Sequence, residues 1–231
     1  MSPTNTSRLG RAASSAVAAA ALLVLLGCAW RLCGASNTSD GLWLELTIGF
    51  IAGGYVALGW LRPARVGITA PQTMLLLGAA GMVAGLGWDC RTGGLNALLS
   101  VCQPGTGDFV RAVRLHWHLL PATHIGMVAG GLATVPLLRS LRQGCRRQFC
   151  ARLVQNVACS VWMILGMSAG SLGFLDLAVR FAGHGAPAML GGMFAGMVWG
   201  MVGSVCVYRL WFAALAARKL HLRAHEPLGA R

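Results

Sequence analysis

Residues 187–210 read PAMLGGMFAGMVWGMVGSVCVYRL, and no charged side chain interrupts them before Arg209. A helix rises about 1.5 Å per residue, so roughly 20 such residues cross the hydrocarbon core of a bilayer. The stretch also contains Gly192-Met193-Phe194-Ala195-Gly196, and the pattern Gly-Met-x-Ala-Gly recurs at Gly81–Gly85, Gly126–Gly130 and Gly166–Gly170. Two glycines four residues apart share one helix face and let a second helix approach closely. Each copy also places a soft, polarisable thioether beside that contact.

Working outward, five further apolar segments lie near 13–33, 42–61, 69–88, 117–138 and 153–175. The chain has 231 residues, of which 56% are hydrophobic and 11% charged, less than half the charged share of about 25% in soluble domains. The expected fold is therefore all-α: one polytopic integral membrane domain over 1–231 with six transmembrane helices, the repeat-bearing spans forming a glycine-packed core.

The net charge of +13 invites a nucleic-acid reading, but the positions of the arginines argue against it. They concentrate in alternate connections. Arg8 and Arg11 precede the first span, Arg62 and Arg65 follow the second, and Arg139, Arg142, Arg146, Arg147 and Arg152 follow the fourth. Arg209, Arg218, Lys219, Arg223 and Arg231 close the chain, whereas the intervening connections mix arginine with Asp40, Asp89, Asp108 and Asp176. This asymmetry obeys the positive-inside rule and places both termini in the cytoplasm, with 211–231 as a basic cytoplasmic tail. Basicity here sets topology; no nucleic-acid partner is expected.

Leu25-Leu26-Gly27-Cys28, after Arg8 and Arg11, is similar to a bacterial lipoprotein signal ending at a lipidated cysteine. Leucine fits poorly just before that glycine, and the expected reading is an uncleaved first helix. Cys90 and Cys102 fall in the outer loop, where an oxidising compartment would allow a disulfide. The apolar stretch Gly94 to Cys102 suits a short interfacial or re-entrant helix. Trp43 and Trp60 frame the second span as interface anchors, and Glu45 either snorkels to the interface or faces the bundle.

The chain carries no P-loop, dinucleotide fingerprint, His-Glu-x-x-His or nucleophile elbow. Ser168 and Ser171 with His184 are too close in sequence for an intramembrane serine protease, and His221 and His225 in the tail lack further ligands. The richest segment is His116-Trp117-His118-Leu119-Leu120-Pro121-Ala122-Thr123-His124-Ile125-Gly126-Met127. Pro121 suits the first turn of a helix, so His116 and His118 are expected in an extended lead-in, pointing to one side. Met189, Met193, Met197 and Met201 recur every four residues along the last span. Imidazole with thioether suits Cu(I) better than any hard cation.

Two functions follow. In the first, a non-catalytic membrane protein binds or passes a soft metal, copper above others. His116, His118 and His124 capture it and Asp89 or Glu45 attracts it. Met127, Met167 and the stripe at Met189, Met193, Met197 and Met201 carry it inward. In the second, the chain is a structural or assembly subunit, docking its glycine faces on partner helices or on a second copy in the bilayer. Haem is a lesser alternative, with His124 and Met193 or Met167 as axial ligands and room left by the glycines.

Overall fold

The structure, a computed structural model, describes residues 3–32, 38–61, 69–93, 109–142, 149–181 and 185–224. These form seven helices and, among the described residues, no strand: α1 (Pro3–Leu32), α2 (Thr38–Leu61), α3 (Ala70–Arg91), α4 (Phe109–Leu119), α5 (Pro121–Arg142), α6 (Phe149–Phe181) and α7 (Gly185–Ala224). Five stretches are long and apolar enough to cross a membrane: Gly41–Leu61, Ala70–Arg91, Pro121–Leu138, Gln155–Ala178 and Pro187–Arg218. The apolar part of α1, Ala16–Leu32, is shorter. Large apolar side chains such as Val56, Ile125, Leu165 and Leu210 stand exposed around the bundle, as a lipid environment requires.

The four repeats pack in two pairs. On α3 and α5, a Cβ at Gly81 would strike the Gly126 carbonyl, one at Gly85 the Ala122 carbonyl and one at Gly130 the Leu77 carbonyl. On α6 and α7, Gly166 opposes Gly196, Gly170 opposes Gly192, and Gly200 opposes the Trp162 carbonyl. Position numbers rise on one helix as they fall on the other, so each pair is antiparallel in constant register. Backbone meets backbone, and a single methyl at any of these positions would drive the helices apart. These are the two most extensive helix contacts in the molecule. The repeat glycines are thus occupied within the chain.

The remaining helices cover this frame: α2 lies along α7, α1 along α3, and α5 meets α6. Helix α7 is central, with residues 187–195 buried without interruption, as expected of a helix that is apolar all round. Nine of the chain's ten methionines, at 74, 82, 127, 163, 167, 189, 193, 197 and 201, are buried, so flexible thioether side chains are a major component of the core.

Side chains close the helix ends. Thr69 and Gln72 form a reciprocal capping box at the start of α3, with Thr69 N–H donating to Gln72 Oε1 at 2.9 Å. Arg209 Nη1 donates to the Leu61 carbonyl at 2.7 Å, binding the open C-terminal end of α2 to α7.

Several expectations are corrected. His116 and His118 are helical, because Leu120 N–H still donates to the His116 carbonyl at 3.1 Å and α4 therefore runs almost to Pro121. Proline removes only its own donor, so the break is confined to Leu120. Trp43 is no interface anchor: it is buried against Phe174, ring centroids 5.9 Å apart, whereas Trp60 is exposed. Helix α7 runs on past the expected span to Ala224, so the first part of the basic tail is helical. Cys102, His184, His225 and the stretch 94–102 lie outside the described residues.

Candidate functional site

The site forms at the start of α5, which packs on α3 and is met by α4. Helix α5 begins at Pro121 with orphan N–H groups, and no residue of its own caps them. Asp89, near the end of α3, does so across the helix interface. Its carboxylate accepts from Ala122 N–H at 3.2 Å, from Thr123 N–H at 2.8 Å and from the Thr123 hydroxyl at 2.7 Å. Asp89 is 2% exposed, and its buried carboxyl oxygens are satisfied by three donors at the positive end of the helix. This carboxylate is already committed to holding α5 against α3.

One turn along α5, His124 is 1% exposed. Its Nδ1 lies 2.7 Å from the Leu120 carbonyl. A carbonyl oxygen only accepts, so Nδ1 carries the proton and Nε2 presents its lone pair. That Nε2 is buried and has no hydrogen-bond partner. Trp117 stacks on the His124 ring at 4.4 Å between centroids, and His116 meets it edge-on at 5.1 Å. His116 is 1% exposed, and neither of its ring nitrogens has a partner. Burial, reinforced by the neighbouring His124, pushes the His116 imidazole down to about 3, so the ring is neutral at ordinary pH.

Three buried ring nitrogens without a partner are unusual, since buried polar atoms are nearly always hydrogen-bonded. A histidine that donates Nδ1–H to a carbonyl while Nε2 stays open also has the arrangement typical of a metal ligand, in which the second hydrogen bond fixes the tautomer. On its outer side His124 borders an apolar groove of about 450 Å³ along α5, lined also by Trp117, Ile125, Val128 and Leu132.

The other predicted residues are distributed as follows. His118 is exposed, on the opposite side of α4 from His116, as residues two apart on a helix must be. Glu45 is exposed, and Asp176 is exposed and paired with Arg180 at 2.8 Å. Met127 is buried one turn beyond His124. Met167 on α6 and Met189, Met193, Met197 and Met201 on α7 are all buried in the core. The structure thus brings His116 and His124 together, with Asp89 near His124, and leaves His118 and Glu45 outside the cluster.

Sequence reading missed Met163. Its methyl reaches across from α6 to within 3.7 Å of where a Cβ of Gly78 would stand, linking the two glycine-packed pairs. The signal was its position three residues before Gly166, one turn from the repeat on the same helix. Among the described residues, no three histidine, cysteine, aspartate or glutamate side chains group as they would around zinc. Compared with known proteins, the chain matches no family model, no curated protein and no solved structure.

Proposed function

We propose that the chain is a non-catalytic protein of the bacterial inner membrane. It crosses the bilayer six times with both termini in the cytoplasm, and it binds or passes a soft metal ion, Cu(I), from the outer face. The observation that carries this reading is the buried pair His116 and His124, with Nδ1 of His124 held by the Leu120 carbonyl and three ring nitrogens left without partners. Thioether selects the soft Cu(I) ion and imidazole suits copper, and two imidazoles one turn from a methionine supply both.

In this reading His118, exposed on α4, meets the ion first. The His116–His124 pair takes it, and Met127 lies next along α5. Met167 and the α7 methionines continue the soft-ligand path inward by ligand exchange. Asp89 acts as a positioning residue that fixes the start of α5, and Glu45, exposed on α2, has no part in the cluster. The arginine-rich alternate connections support the orientation.

The assembly reading loses its main support, because the repeat glycines face one another inside the chain.

The test is Cu(I) affinity of the detergent-purified protein under reducing conditions, measured by competition with a chromophoric chelator. The double variant His116→Ala/His124→Ala is expected to bind at least about tenfold more weakly, the scale seen when a metal site loses its support. Equal affinity in the variant, or no binding by the unmodified protein, overturns the proposal.

A further inference from the structure

The methionine core holds a second place where soft ligands converge, on the side of the repeats away from His116 and His124. Gly131 on α5 leaves a notch facing α6 and α3. A Cβ at Gly131 would stand 3.4 Å from the Met74 methyl, 3.5 Å from the Met163 methyl and 3.3 Å from the Ser160 hydroxyl. Gly78 on α3 leaves a second notch beside it, where a Cβ would meet the same Met163 methyl at 3.7 Å and Met127 Cγ at 3.8 Å. The sulfurs of Met74, Met127 and Met163 are each one bond from these carbons, on three different helices.

Packing alone accounts for the thioethers but not for the polar atoms among them. The Ser160 hydroxyl is buried without a hydrogen-bond partner, and so is that of Thr134, one turn along α5 from Gly131. Ser160 is 3% and Thr134 0% exposed. The unsatisfied Ser160 hydroxyl, at the notch where the Met74 and Met163 methyls meet, supplies a lone pair without a carboxylate. The thioethers are neutral and soft, and a set without a carboxylate discriminates against hard divalent cations. Methionine has three rotatable bonds, so its sulfur turns toward a ligand where its methyl now points without moving the backbone.

We propose that Met74, Met127 and Met163, assisted by the Ser160 hydroxyl, form a second site for a monovalent soft ion, Cu(I) or its analogue Ag(I). The proposal deepens the reading of the His116–His124 pair as a Cu(I) site. Met127 lies one turn from His124 and also in this cluster, so it joins the two sites along one face of α5.

The experiment is metal analysis of the full-length protein after Cu(I) loading and gel filtration in detergent, with copper X-ray absorption to separate nitrogen from sulfur ligands. The unmodified protein is expected to carry two ions per chain. Met74→Leu/Met163→Leu, which conserves volume, is expected to carry one, retaining nitrogen ligands. His116→Ala/His124→Ala is expected to carry one, coordinated by sulfur without nitrogen. An unchanged elution volume and melting temperature for the leucine variant show that its fold is intact. If the leucine variant binds as many ions as the unmodified protein, the second site is overturned while the histidine site stands. If the histidine variant keeps every ion and the leucine variant loses one, the histidine reading falls and the second site stands. If the unmodified protein binds none, both fall.

Discussion

At the scale of single residues, Asp89 shows how a functional guess becomes a structural role. An acid at the outer end of a span is a reasonable attractor for a cation, but three donors from α5 already occupy its oxygens. Replacing it with alanine leaves the Ala122 and Thr123 N–H groups without their acceptor, at a cost of about 1–3 kcal/mol. Asp89→Ala should therefore lower the melting temperature in detergent clearly. Asp176→Ala, which removes only an exposed pair with Arg180, should change it little. Equal effects would contradict the capping role. The histidines teach the same lesson through periodicity. Pro121 makes the preceding residues look extended, yet a helical spacing over 109–119 places His118 on the face of Arg114 and sends His116 the other way. Spacing alone held that information, but the one-residue break at Leu120 concealed it.

At the scale of helices, the repeat was legible because glycine spacing encodes a face. What it did not encode was the partner. Any two of four similar faces satisfy the pattern, and only the register shows α3 with α5 and α6 with α7. The pairings differ by one turn: Gly166 meets the far glycine of its partner repeat, whereas Gly81 meets the near glycine, Gly126. Substitutions separate contact glycines from idle ones. Gly85→Ala places a methyl on the Ala122 carbonyl and should destabilise by about 1–3 kcal/mol through overpacking. Gly173→Ala on α6 meets nothing within 4 Å and should be neutral or stabilising, since alanine favours a helix by about 1 kcal/mol over glycine. Thermal unfolding of the two variants in one detergent checks this, and a stable Gly85→Ala protein would refute the close contact.

At the scale of the whole molecule, the apolar segments and their helical nature were readable from charge depletion alone. The filling of the core was not, because methionine at a helix face reads equally as packing and as ligand. Substitution separates the two. Replacing Met189, Met193, Met197 and Met201 together by leucine conserves volume, at a cost below about 1.5 kcal/mol per site, so the bundle should remain folded. It should also keep its Cu(I) affinity at the histidine pair while delivering the ion inward more slowly in vesicles, and unchanged delivery would reduce the stripe to packing. The central claim concerns one atom, Nε2 of His124, and nitrogen NMR of ¹⁵N-histidine-labelled protein addresses it directly. The account predicts that without metal His124 carries its proton on Nδ1 and none on Nε2. On addition of Ag(I), Nε2 of His124 and one nitrogen of His116 should shift and split by coupling to silver. A proton on Nε2, or a spectrum unchanged by Ag(I), would contradict it.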